Sequence, residues 1–561
     1  MSRGKLLNQR IKNANITTMT LKGILNSKQT GIKKATLIMV VSVLISRVLG
    51  LIRDRFLAGF FGASIDLDIY FTAFRIPDLV YSIIFAGGIT VSFLPIFSEY
   101  FKKDKEEAWK IVNYVLNIFL LLYFLVFFVF IAFTPQLVSY LAPGFDSLAQ
   151  AKTVELTRLV FLSVFFFGLS SILTAILNYF NLFLAYSLAP ILYNLGIIFG
   201  IVFLSPHWGI FGAGLGVVLG SFLHFLVQFP GAKNSGFKYQ AIFSFNHKAI
   251  KDFFLMIGPR IISSSSVQFS FIIITLIASG IGEGAISVFN LSNNLRYLPI
   301  GVIGIPFATA AFPALSKLWV AKRKEEFLER FRMVFSSVLY FSFPVGVLIF
   351  LLRKPIVNII FQTGAFQGTA VEITAACLGL YFLSTAAQCL APIILRGFFS
   401  LKDSLTPTLI SLFFMLVNAF LCFFFVNISS ASESFLAQIF ENTFGFTNLA
   451  DIKILSLVLA FNISLLFEFF ALLFFFWRKV GDFGFKKVLV SFSKILISTI
   501  MMTLILLIFI RYWPLSLSLF GQLVWFALAC LVAGLVYLLA SYLLKTEESS
   551  FLDKFLAKNE N

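Results

Sequence analysis

Acidic residues are scarce in this chain: 26 Asp and Glu stand against 44 Lys and Arg in 561 residues, and none precedes Asp54. Only 12% of residues are charged, about half the share usual for a soluble domain, so a soluble surface is excluded. Four cysteines (Cys377, Cys389, Cys422, Cys530) and three histidines (His207, His224, His247) lie scattered without paired spacing, which points to neither a disulfide framework nor a metal site. No phosphate-binding loop, paired-carboxylate motif or Ser-His-Asp arrangement stands out. The longest loop, about 428–451, is too short for a catalytic domain. A membrane ligase or polymerase would need such a domain, so the chain is expected not to be an enzyme. Ten-residue alternating segments, the mark of a membrane β-barrel, are missing as well.

What remains is apolar. The chain is 59% hydrophobic with mean hydropathy +0.94. Runs of about twenty apolar residues recur, each long enough to cross ~30 Å of hydrocarbon. Apolar runs and breakers predict fourteen membrane spans, the first eight near 34–57, 68–98, 110–133, 153–178, 186–204, 209–229, 249–278 and 285–316. Six more follow near 327–352, 370–396, 406–427, 452–477, 487–510 and 519–544. With the N-terminus inside, one set of loops holds only Lys152, Arg353, Lys354, Lys453 and Arg511, while nearly all other loop cations fall on the opposite side. The positive-inside rule therefore places both termini in the cytoplasm. It also accounts for most of the +18 net charge, so no nucleic-acid partner is expected. The 74 phenylalanines carry no functional weight.

An internal repeat emerges. Phe93-Leu94-Pro95-Ile96-Phe97-Ser98 and the charged stretch after it return as Ala311-Phe312-Pro313-Ala314-Leu315-Ser316 followed by Arg323-Lys324-Glu325-Glu326, an offset of 218 between Pro95 and Pro313. Pro190 and Pro407 match at 217, and Pro77 and Pro299 at 222. Spans 1–6 and 7–12 thus read as two copies of one unit, with spans 13 and 14 appended. An even number of crossings makes both copies enter from the same side. The expected fold is all-α and polytopic, a V-shaped pair of six-helix lobes around a substrate path, as in an alternating-access carrier. The expected division is a basic tail (1–33), an N-lobe (34–248), a C-lobe (249–480), spans 13–14 (481–545) and a C-terminal tail (546–561).

The chemistry lies in the first two spans. Arg47, Arg53, Arg55 and Arg75, with Asp54 and Asp68, sit in otherwise apolar segments. An arginine near the bilayer centre costs at least ~2.5–3.5 kcal/mol and usually faces protein or a watery cavity. Arg47, Gly50 and Asp54 share one helical face. Asp68 and Arg75, seven apart, suggest an ion pair. Span 8 carries a polar band, Asn290, Asn293, Asn294 and Arg296; span 7 carries Arg260, then Ser263 to Ser266 and Gln268. Guanidinium groups grip phosphate oxygens in a bidentate way, so the expected substrate bears phosphate or pyrophosphate. For Arg55 and Arg75 an architectural role is an equal alternative. Gly212, Gly216 and Gly220 in span 6 read as close helix packing.

Ser46-Arg47-Val48-Leu49-Gly50-Leu51-Ile52-Arg53-Asp54, then Phe61-Gly62-Ala63, then Asp68-Ile69-Tyr70-Phe71-Thr72-Ala73-Phe74-Arg75-Ile76-Pro77 resembles the opening signature of the MurJ (MviN) family. The likeness continues at Phe93 to Tyr100, Ala142-Pro143-Gly144-Phe145, Pro299 to Ser316 and Arg396 to Pro407, and covers residues 34 to about 540. The resemblance implies a fourteen-helix flippase of the MOP superfamily in the bacterial plasma membrane. Such a protein carries lipid II, the undecaprenyl-pyrophosphate-linked peptidoglycan precursor, to the outer leaflet for cell-wall synthesis. It implies a substrate site at Arg47 and Arg53, with Arg260 and Arg296 as contributors from the second lobe. Asp54, Asp68 and Arg75 become gating ion pairs, and spans 13–14 a groove for the polyprenyl tail.

The chain departs from the family pattern at two cationic positions, where it has Ser82 and Asn294. The span 2 motif reads Phe85-Ala86-Gly87-Gly88. Arg296 lies about 200° from Asn294 in an ideal helix. Coupling by membrane potential or a monovalent cation is implied, with Glu468 and Asn418 as candidate ligands and no cofactor. Expected partners are lipid II, membrane lipids and peptidoglycan-synthesis enzymes, with the protein a monomer. The alternatives are a flippase for another polyprenyl-linked glycan and a non-transporting cell-wall scaffold.

Overall fold

A computed structural model describes residues 32–86, 89–429, 435–514 and 518–549. Apart from their inner edges, both expected tails lie outside these residues, as does Gly87-Gly88. Among the described residues every named element is helical; a single β-bridge joins Thr363 and Phe366.

Eleven helices are long and apolar enough to cross a membrane, from Lys105–Leu141 to Leu519–Leu543. They correspond to expected spans 3–6 and 8–14. The other three expected positions are helical too. Ile32–Phe61 is one helix of 30 residues, and Lys248–Ser279 one of 32, whose apolar stretch is Ser265–Ser279. Span 2 is broken into Ile65–Ala73, Arg75–Tyr81, a π turn at Ser82–Ala86 and Ile89–Lys103. The charges in spans 1 and 2 that suggest function also dilute their apolar character. Span 10 is likewise split at Tyr381, between Thr369–Leu380 and Phe382–Ser400. The loop expected at 428–451 contains a helix, Phe435–Phe444, because Leu436, Ala437 and Phe440 form a buried stripe at helical spacing.

Three π turns interrupt the helices, and two bear on the repeat. Ser82–Ala86 and Ile300–Gly304 are 218 residues apart at both ends, the offset that relates Pro95 to Pro313. The third, Gly200–Leu204, has no partner near 420, where Leu405–Ile428 is regular.

The chain divides into two compact units. The first comprises the described residues up to Arg53, with Val80–Ala132 and Arg158–Ile261. Here Phe183–Phe199 and Ile210–Leu226 pack through glycine: a Cβ on Gly196 would lie 2.4 Å from Gly220 Cα, and one on Gly200 2.5 Å from Gly216 Cα. The second unit comprises Asp54–Leu79, Phe133–Thr157 and Ile262 onward. Its core includes Phe327, Phe331, Phe398 and Phe476, and runs on without a break to Ile495, Met502 and Ala533 of the appended helices. Tyr340 of Lys324–Leu351 meets the last helix twice: its hydroxyl lies 2.6 Å from Ser541 Oγ, and Tyr537 donates to its carbonyl at 2.7 Å.

Candidate functional site

In the first unit the candidate site centres on Arg53. Its Nη1 donates to Asn194 Oδ1 at 3.2 Å. Asn194 in turn donates from Nδ2 to the carbonyls of Ser46 (3.2 Å) and Pro190 (3.0 Å), which turns its amide oxygen toward the guanidinium. Arg47, on the same helix, is half-buried. Asn194 escaped the sequence reading, although an amide in a strongly apolar segment is the signal that could have found it.

In the second unit each asparagine of the span 8 band meets a different charged side chain. Asn294 donates to Asp54 Oδ2 at 3.0 Å. Asn290 accepts from Arg75 Nη2 at 2.6 Å. Asn293 accepts from Arg296 Nε at 3.0 Å. The helix Ala285–Pro299 thus acts as a neutral comb between ions. At position 294 it satisfies a carboxylate with an amide where a cation was expected.

Asp68 performs a capping role. The helix Ala285–Pro299 starts after Gly284, which has no side chain to cap it. Asp68 supplies the carboxylate from span 2, accepting from Gly284 N (2.8 Å), Ser287 N (2.7 Å) and Ser287 Oγ (2.5 Å). An anion is favoured there by the exposed N–H groups and the helix dipole. Arg75 donates from Nε to Thr275 Oγ1 at 2.7 Å and lies 5.3 Å from the centre of the Phe271 ring. Asp68 and Arg75 therefore do not pair with each other as their spacing suggested. The break at Phe74 removes the regular helix that would align them. Arg55 donates to the carbonyls of Ile359 (2.6 Å) and Ile360 (2.9 Å), closing the C-terminus of Arg353–Phe361. That is an architectural role.

Arg296 is 4% exposed, with the rings of Tyr381 and Phe461 each centred 5.2 Å from its guanidinium carbon. Its Nη1 has no hydrogen-bond partner among the described residues. Its environment differs from that of Asn294, as the 200° separation implied. Glu468 accepts from Ser411 Oγ at 3.3 Å, while Asn418 donates to Ser464 Oγ at 3.4 Å. No hydrogen bond joins these two candidate ion ligands among the described residues. Gln268 is half-buried, and the Arg260 side chain lies outside those described.

The fold and these buried ions define a class: a polytopic helical carrier of charged cargo. A solved MATE multidrug transporter of the MOP superfamily, inward-facing, superposes with TM-score 0.60 at 14% identity, covering 80% of this chain and 99% of its own. A solved lipid II flippase MurJ in an inward closed conformation gives TM-score 0.72 at 24% identity, covering 91% and 98%. The family model described as lipid II flippase MurJ matches residues 57–526. A probable lipid II flippase MurJ of Buchnera aphidicola from Acyrthosiphon pisum is 31% identical over 396 residues, 68% of this chain and 76% of the relative. That from Schizaphis graminum is 28% identical over 92% of this chain and 98% of its own. The chain belongs to the MurJ family.

Proposed function

We propose that this protein is a lipid II flippase of the bacterial inner membrane, carrying the undecaprenyl-pyrophosphate-linked precursor from the inner to the outer leaflet by alternating access. The observation that carries this reading is the family match across residues 57–526. Arg47 and Arg53 bind the pyrophosphate: guanidinium forks fit its oxygens, and the Asn194 amide orients Arg53 with a neutral contact that cargo can displace. Asp54 and Asp68 hold span 8 to spans 1 and 2 in this state, and transport requires at least the Asp54 contact to be remade. Both termini lie in the cytoplasm, and spans 13–14 receive the polyprenyl tail. The distribution of loop cations and the apolar surface of those spans support these two assignments.

The test is complementation of a bacterium depleted of its own flippase, with outer-leaflet lipid II as the readout. Wild type should rescue; Arg47→Ala and Arg53→Ala, expressed at equal level, should not. Rescue by both variants would move the pyrophosphate site elsewhere. Failure of well-expressed wild type in a matched host would favour a different glycan cargo or a scaffold.

A further inference from the structure

In the second unit, away from the arginines discussed above, a cavity of about 550 Å³ opens where the helices Ile305–Val320 and Phe382–Ser400 end. It is lined by Trp319, Val320, Lys322, Lys324 and Lys402, with no acidic side chain. None of the three lysines makes an ion pair among the described residues. The acids beside them are taken: Glu326 by Arg323, and Asp403 by Lys479 at 2.6 Å. Val320 is 71% exposed, and Trp319 is fixed against the buried ring of Phe327, 5.3 Å between centres. Ammonium groups above an exposed apolar floor at the end of a membrane span match the boundary between headgroups and hydrocarbon.

Two of these lysines are held by the backbone. Lys322 (φ 58°) and Lys402 (φ 59°) are left-handed residues in matching helix-ending turns. Lys322 N bonds Trp319 O and Arg323 N bonds Leu318 O; Lys402 N bonds Phe399 O and Asp403 N bonds Phe398 O. Glycine or asparagine suits such a position better than lysine. Offsetting the helix ends explains only part of the charge, since each carries about −0.5 against three full positive charges. Membrane topology does not explain the placement either. In the first repeat the corresponding turns, 218 and 221 residues earlier, hold Asp104 and Asn181. Asp104 there accepts from the backbone N–H groups of Glu106 and Glu107.

We infer that this cavity binds the phosphodiester headgroup of an anionic glycerophospholipid from the adjoining leaflet, the three ammonium groups on the phosphate and Trp319 and Val320 against the upper acyl chain. This goes beyond the transport reading and stands without it.

The test uses full-length protein in neutral detergent, with phosphatidylglycerol or phosphatidylcholine added and bound lipid counted by native mass spectrometry. The pocket variant is Lys322→Asn, Lys324→Gln, Lys402→Asn, because asparagine keeps the left-handed turns. A control removes Lys102, Lys233 and Lys238 from the first unit. Phosphatidylglycerol should be preferred by wild type and control, and the pocket variant should lose about tenfold or more of that preference with an unchanged melting temperature. Glycerol 3-phosphate at millimolar concentration should not displace the lipid. Equal loss in pocket and control variants would overturn the proposal in favour of bulk charge. Unchanged binding in the pocket variant would overturn it outright, and efficient displacement by glycerol 3-phosphate would assign the site to free phosphate esters.

Discussion

Asn294 and Asp68 show how much of this molecule's charge is managed by neutral or backbone donors. Replacing Asn294 with Leu removes a donor from Asp54, a carboxylate only 3% exposed, and hydrogen bonds to charged groups contribute roughly 1.5–3 kcal/mol. A lower melting temperature in detergent is the expected result; an unchanged one would show that the contact contributes nothing. Asp68→Asn is also not conservative. Its two oxygens accept from Gly284 and Ser287, so an amide must aim an N–H at one of those donors. A loss of about 1–3 kcal/mol is expected, with Asp68→Glu no full rescue because the longer stem misplaces the carboxylate. The arginines and aspartates themselves were legible in the sequence because charge inside an apolar run stands out. Their partners were not: Asp68 finds Ser287 across 219 positions, and no local pattern encodes a contact at that range.

At the level of elements, the glycines of spans 5 and 6 could be read in advance from their four-residue spacing, and the structure gives their tolerance. Gly216→Ala would place a Cβ 2.8 Å from Gly200 Cα and should destabilise by about 1–3 kcal/mol. Gly534→Ala meets nothing within 4 Å, so helix propensity alone should make it neutral or stabilising by up to ~1 kcal/mol. Parallel thermal melts of the two variants check both signs. The turn after span 10 adds a pH-dependent tie. Burial alone would raise the Asp403 carboxyl, but hydrogen bonds from Lys479 and Thr406 outweigh it and hold it below the ordinary 3.8. A depressed carboxylate stabilises fully above its unfolded value and loses that contribution as pH falls through the lowered folded value. Lys479→Met should therefore lower stability at neutral pH and narrow the gap to wild type below pH 3.8. The broken span 2 was beyond sequence reading, since Phe74 is neither proline nor glycine and marks no interruption.

For the whole molecule, the appended pair of helices tests how the second unit is built. Ile495, Met502, Leu506, Ala529 and Ala533 belong to the same buried cluster as Phe331 and Phe398. Truncation after Val480 should therefore abolish accumulation of monodisperse protein in size-exclusion chromatography, rather than merely removing a lipid groove. A well-behaved truncated protein would mean that the pair is an attachment and not part of the core. The two-copy organisation was legible because prolines and charged turns recur at one spacing. The helix inside loop 428–451 and the pocket of lysines were not, since each depends on what folds against it. The π turns add a historical reading. Ser82–Ala86 and Ile300–Gly304 share position but hardly any residues, reading Ser-Ile-Ile-Phe-Ala in one copy and Ile-Gly-Val-Ile-Gly in the other. A feature found at the same place in both copies is older than the event that doubled them. The extra residue was thus already present in an ancestral half-length gene, and its shape has outlasted the letters that first spelled it.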